Sequence, residues 1–194
     1  MSDGPGAGGE GRARLFVALE LPGVVRSALV NWAGETVGGE PGVRLLDVDA
    51  LHLTLCFLGE VELSAVEAIS AAVASEVARG GDEPPPFVFE PDQVRWLPPR
   101  RPRVCAVSLR DRDGRAGALQ AALSTRLSEG GWYSPERRAW LAHVTVARMS
   151  SRDPRGRREV DPAPPVLEPF GATAVVVMRS WPGSRYEALA RIVL

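Results

Sequence analysis

The chain has 194 residues, 45% hydrophobic and 24% charged, with a formal net charge of −1. That balance describes a folded globular chain, and it argues against non-specific coating of nucleic acid through a broad basic face. The sequence holds no lysine, so its 23 basic residues are all arginine; this excludes a Walker A lysine, a Schiff base and a lysine–nucleotide adduct, and leaves the planar guanidinium fork for phosphate.

Residues 1–13 are rich in Gly and polar groups and read as a loose tail, leaving 14–194 as a single domain. RLFVALEL (14–21) reads as a strand. Pro22 suits the first position of a helix, in which Val25, Ala28, Leu29 and Trp32 follow at three- and four-residue spacing until Gly38-Gly39 ends it. A short strand around VRLL precedes HLTLCFLG (52–59), whose Gly59 punctuates the run. Ser64 and Glu67 have capping-box spacing ahead of a second helix with Val66, Ile69, Val73 and Val77 on one face, up to Gly80. DEPPPF then reads as a turn, followed by strands near 87–90 and 93–97, and by VCAVSL (104–109).

A third helix over about 115–128 uses Ala118, Leu119, Ala122, Leu123 and Leu127 as its apolar face. AWLAHVTVARM reads as a strand, residues 150–165 as a long exposed loop, and the segments on either side of Pro182-Gly183-Ser184 as a hairpin. Single helices alternating with strand pairs and hairpins predict an α+β fold with antiparallel sheet. Cys56 and Cys105 sit in apolar strand-like runs without a second Cys or His at zinc-like spacing, so buried reduced thiols are expected, with neither a disulfide nor a metal. No stretch has the length of a membrane span and the opening residues lack the apolar core of a signal peptide, so the expectation is a cytoplasmic protein without a membrane partner.

The chain's two histidines share one pattern: HLTL at 52–55 and HVTV at 143–146, each His, aliphatic, Thr, aliphatic. On a strand, His52 and Thr54 point to one side and Leu53 and Leu55 to the other, and His143 and Thr145 are opposed to Val144 and Val146 in the same way. A single His in a strand is usually a satisfied core residue. Duplication of the whole pattern about half a chain apart is something core packing gives no reason to expect. If the strands meet, two imidazoles supply a general base and a general acid, and two hydroxyls hold non-bridging phosphate oxygens. That set suits phosphodiester hydrolysis without metal, and no HxH, HExxH or carboxylate cluster accompanies either histidine.

With these motifs the chain resembles the two-histidine phosphoesterases, and among them the bacterial and archaeal RNA 2′,3′-cyclic phosphodiesterases, also called 2′-5′ RNA ligases. RLFVALELP looks like their opening strand, LHLTLCFLGEV their first motif, PRVCAVSL a central strand, HVTVARM their second motif and VVVMRSWPGSRYEALARI their closing hairpin. The resemblance implies a bilobal fold: two pseudo-symmetric lobes of antiparallel sheet, helices packed outside, a central cleft between. It implies hydrolysis of RNA 2′,3′-cyclic phosphate ends to 2′-phosphates by a monomer without cofactor, with ATP-independent 2′-5′ ligation as the reverse. His52 and His143 would be catalytic, with His143 as base and His52 as acid, and Thr54, Thr145 and Arg148 would bind phosphate. Strict alternation points Arg148 away from His143, so it serves only if the strand bends or ends there. Phe16, Phe57 and Tyr186 are candidates for stacking on a base. The runs Arg100, Arg101, Arg103 and Arg152, Arg155, Arg157, Arg158 are candidates for guiding the RNA backbone. The competing readings are a phosphodiesterase of small cyclic phosphates or 2′-5′ oligonucleotides, and a non-catalytic RNA-end binding module.

Overall fold

A computed structural model describes residues 11–79, 87–150 and 162–194. The loop arginines Arg152, Arg155, Arg157 and Arg158 and most of the turn near 82–87 lie outside the described residues.

Among the described residues, eight strands and three α-helices follow in the order β1 (Arg12–Glu20), α1 (Gly23–Thr36), β2 (Val43–Leu45), β3 (Leu53–Glu62), α2 (Val66–Ala78), β4 (Phe89–Leu97), β5 (Val104–Asp111), α3 (Arg115–Glu129), β6 (His143–Met149), β7 (Ala174–Trp181) and β8 (Arg185–Val193). The class is α+β, and the paired strands run antiparallel. They form one sheet in the order β4-β5-β6-β3-β1-β7-β8, with β2 also on β6. Its two halves, β2-β4-β5-β6 and β1-β3-β7-β8, join where β3 meets β6 at the single registered pair Leu53–Val144. The expected lobes are thus two halves of one continuous sheet.

The helices share one face of that sheet. Val25, Leu29 and Ala33 of α1, Ile69 and Val73 of α2, and Leu123 and Leu127 of α3 enter one core with Leu15, Val17, Leu53, Val107, Val144 and Val177 of the strands. A fully buried aliphatic side chain contributes about 1.5–3 kcal/mol, so this face supplies much of the stability. The opposite face of the β1–β7 region carries a small separate cluster of Phe16, Ala18, Ala174 and Val176, with Met178 and Tyr186 packed against it. All three helices being engaged elsewhere, this second face is where a cleft can open.

Three local expectations are corrected. Gly59 does not end the motif strand: β3 continues to Glu62, and Gly59, at φ +74°, sits where β3 has one residue more than β1 between the pairs Leu15–Gly59 and Phe16–Phe57, a bulge that glycine accommodates. Ser64 makes no cap hydrogen bond, because a 3-10 turn over Leu63–Ala65 leads into α2 and already contains it. The two strands expected near 87–97 are one, β4, with an irregularity between Pro91 and Gln93; it lies at the edge of the sheet, where a proline is tolerated.

Candidate active site

The junction of the halves brings the two motifs together. Antiparallel pairing at Leu53–Val144 sets His52 alongside Thr145 and Thr54 alongside His143, related by the local twofold axis that any antiparallel pair has. Leu53 and Val144 are both 0% exposed on the helix side, so His52, Thr54, His143 and Thr145 share the other face.

Each motif strand then bulges at the same place. Between the pairs Val17–Cys56 and Ala18–Thr54, β3 holds the extra residue Leu55. Between Cys105–Ala147 and Ala106–Thr145, β6 holds the extra residue Val146. A bulge shifts the alternation by one, and the buried side chains accordingly run in pairs, Leu55-Cys56 and Val146-Ala147. The fifth residue after each histidine, Phe57 in one strand and Arg148 in the other, is thereby returned to the cleft face. Here the strand bends, as Arg148 required, and Arg148 lines a cavity with His52, Thr54 and Thr145.

The imidazoles are held alike. Nδ1 of His52 donates to the Ala50 carbonyl at 2.9 Å, and Nδ1 of His143 to the Leu141 carbonyl at 2.8 Å. Because a carbonyl only accepts, Nδ1 carries the proton in both rings, and each Nε2 is left for substrate. His52 lies 4.8 Å from the Phe16 ring and 4.9 Å, edge-on, from Tyr186. Burial among these rings pushes its pKa down to about 4, with smaller contributions from the charges of His143 and Arg148.

Two cavities meet at the motifs and share Thr54 and Phe57. The smaller, about 210 Å³, is lined by His52, Thr145, Arg148, Arg14 and Tyr186 among others. The larger, about 790 Å³, opens on His143.

Of the stacking candidates, Phe57 is 43% exposed and remains open. Phe16 is 2% exposed and its ring packs on His52, so it has no face for a base. Tyr186 meets both Phe16 and His52, and its hydroxyl accepts from Arg148 Nη2 at 3.2 Å, which makes it a support for two site residues. Arg103 reaches the large cavity, whereas Arg100 and Arg101 line neither of the two. Sequence reasoning missed Arg14 and Trp140. Arg14, two residues before Phe16 on one strand, lines the small cavity and lies 5.3 Å over Phe57; the two-residue spacing was the available signal. Trp140 donates its indole N–H to the Thr54 carbonyl at 3.0 Å, tying the second motif's approach to the first motif's strand; nothing in its spacing announces that. Among the described residues no three His, Cys, Asp or Glu side chains gather as a metal-binding group, and no helix is long and apolar enough to cross a membrane. Cys56 and Cys105 are both buried free thiols.

Comparison with known proteins bears on the family. The RNA 2′,3′-cyclic phosphodiesterase of Escherichia coli is 30% identical over 139 residues, covering 71% of this chain and 73% of its own. That of Archaeoglobus fulgidus is 27% identical over 142 residues, covering 73% and 75%. The crystal structure of E. coli LigT complexed with 3′-AMP superposes with a TM-score of 0.75 at 26% identity over 94% of this chain and 98% of that one. A crystal structure from Thermus thermophilus gives 0.75 at 26% identity over 93% and 97%. The family model of the 2′-5′ RNA ligase superfamily matches residues 33–179, and the chain belongs to that family.

Proposed function

We propose that the protein hydrolyses RNA 2′,3′-cyclic phosphate ends to 2′-phosphates, as a single domain over 14–194, by acid–base catalysis between two histidines and without metal or nucleotide cofactor. The observation that carries this reading is the Leu53–Val144 pair, which sets one imidazole and one hydroxyl from each motif on a single face. Relatives named RNA 2′,3′-cyclic phosphodiesterase support the choice of substrate.

In this mechanism the cyclic phosphate sits in the small cavity, its non-bridging oxygens accepting from the Thr54 and Thr145 hydroxyls and facing the Arg148 guanidinium. His143 Nε2 takes a proton from water, whose oxygen attacks phosphorus. The bond from phosphorus to O3′ breaks, and O3′ takes the proton from His52 Nε2, leaving a 2′-phosphate and a 3′-hydroxyl. Solvent then resets both rings. If the 5′-hydroxyl of a second RNA replaces water, the same step yields a 2′-5′ linkage with the energy of the cyclic ring and no ATP. Burial keeps His52 neutral before substrate binds, so its proton arrives with the phosphate.

The test is an RNA oligomer with a 2′,3′-cyclic end, incubated in chelator without ATP, with the 2′- and 3′-phosphate products resolved. The expected product is the 2′-phosphate, lost in both His52→Ala and His143→Ala. A 3′-phosphate product, dependence on added metal, or unimpaired variants would refute the mechanism.

A further inference from the structure

The halves of the sheet join at the registered pair Leu53–Val144, and on the cleft face two side-chain hydrogen bonds also cross from one half to the other. Arg148 of β6 donates to the Tyr186 hydroxyl at 3.2 Å, and Arg44 of β2 donates to the Ser184 hydroxyl at 3.0 Å. Arg44 and Arg148 are partners in the β2–β6 ladder, so both stand on one face of adjacent strands. Like charges opposite one another on a sheet are unfavourable, and here each guanidinium has an acceptor on the facing hairpin. Ser184 ends the turn between β7 and β8, and Tyr186 follows two residues on. Arg44 and Ser184 line neither of the two cavities, whereas Arg148 and Tyr186 both line the small one.

The backbone at the turn carries a second sign. Ser184 has φ +64°, and among the described residues no other non-glycine residue has a positive φ. Glycine adopts this left-handed region without strain, as its neighbour Gly183 does at φ +83°. A serine there lowers stability. What serine has and glycine lacks is the hydroxyl that Arg44 reaches.

We propose that Arg44 and Ser184 are positioning residues, whose hydrogen bond straps the β7–β8 hairpin across the cleft and so holds Tyr186 against Arg148 and His52. The inference rests on the hydrolase reading above for the roles of those two groups. With the strap cut, Tyr186 withdraws from both. Arg148 then loses the acceptor that fixes its guanidinium beside the phosphate, and water reaches the edge of the His52 ring that Tyr186 covers.

The experiment compares the wild type with Ser184→Gly, Arg44→Ala and the double variant, none of which changes a group that meets the phosphate. In Ser184→Gly relief of strain offsets the lost hydrogen bond, so its stability in urea titration should match the wild type. The kcat/KM on an RNA oligomer with a 2′,3′-cyclic end should nevertheless fall about 3- to 10-fold in either single variant, the scale of one hydrogen bond, and no further in the double, because both remove the same bond. A second readout needs no substrate. In a His143→Ala background the His52 ring titrates alone in proton NMR, and adding Ser184→Gly should move its midpoint from near 4 toward its ordinary 6.5 by about one unit as water enters. The charged and titratable groups left facing His52, namely Arg148 on β6, Arg14 on β1 and Tyr186 on β8, are the same with and without Ser184→Gly. Single variants within about twofold of wild type, losses that multiply in the double, or an unmoved His52 midpoint overturn the inference while leaving the hydrolase reading standing. If the wild type turns over no cyclic end, the hydrolase reading fails and the titration alone decides: a moved midpoint upholds the strap, and an unmoved one overturns it.

Discussion

An acid with a pKa near 4 must acquire its proton from somewhere, and the coupling this demands is measurable. His52 falls from its ordinary 6.5 to about 4 through burial, a penalty of about 3 kcal/mol on the charged ring at 1.36 kcal/mol per unit. At pH 7 only about one free molecule in a thousand then carries the imidazolium. An anion beside Nε2 offers a charge-assisted hydrogen bond of about 1.5–3 kcal/mol and an attraction of about 4 kcal/mol at 4 Å near a protein surface, enough to return the pKa to 6.5 or above. A pKa raised on binding means proton uptake. Affinity is therefore greatest below pH 4, weakens tenfold per unit as pH rises between the free and bound values, and is level above the bound one. Sulfate is the clean probe because its charge is constant over this range. In His143→Ala, His52 is the one remaining histidine, so its ring signal in proton NMR titrates alone. The expected midpoint is near 4 without sulfate and above 6 with it, and calorimetry at pH 5.5 in buffers of different ionisation enthalpy should find close to one proton taken up per sulfate. A free midpoint near 6.5, or binding without proton uptake, refutes the reasoning.

Three further outcomes follow from the same structure. Thr54→Val and Thr145→Val keep the strand packing but each remove a donor to phosphate, so kcat/KM should fall about 10- to 100-fold in either, the scale of a hydrogen bond to a charged group; a change under threefold in both would remove the threonines from the site. Burial pushes the Cys56 and Cys105 thiols up to about 12, so the native protein should resist alkylation at pH 8 and take up two equivalents only when unfolded, as mass spectrometry would read. Arg191 donates two hydrogen bonds to Glu20, at 3.0 Å each, and holds that carboxyl below its ordinary 4.5. A carboxyl depressed by folding stabilises above its unfolded pKa and loses that contribution as pH falls through the lower folded one. The stability gap between wild type and Arg191→Ala, small because the pair is exposed, should therefore be present at pH 6 and close below pH 4 in urea titrations.

The residues that could be read from sequence are those whose role is set by local period. The paired His-x-Thr runs, the buried helix positions Val25, Leu29, Ile69 and Val73, and the antiparallel α+β class all follow from spacing alone. What depends on one extra residue in a strand could not be read so. Strict alternation turned Arg148 away from the cleft, and only the bulge at Val146 reverses it; a bulge is a property of the pairing between two strands, which a single strand's sequence does not carry. The same limit explains Phe16 and Tyr186. Their aromatic character made them candidates for stacking as well as for the core, and only the packed structure shows that their surfaces are taken up by His52 and Arg148. Trp140, 86 residues from the carbonyl it reaches, has no sequence signal of that kind.

The twofold relation of the motifs makes one departure from it informative. Histidine, threonine, the i−2 carbonyl under each Nδ1 and the bulge after each threonine are all repeated. The residue that each bulge returns to the cleft is not: β3 delivers Phe57 and β6 delivers Arg148. A symmetric pair of imidazoles would accept a phosphodiester equally well in two opposite orientations. A guanidinium at one end and an aromatic ring at the other break that degeneracy, because charge draws the phosphate oxygens toward Arg148 and the ring offers a surface for what is attached to them. Orientation then decides which imidazole faces the leaving oxygen. In the proposed mechanism the direction of proton transfer would then follow from the residue five positions after each histidine together with the burial of His52 against Phe16 and Tyr186.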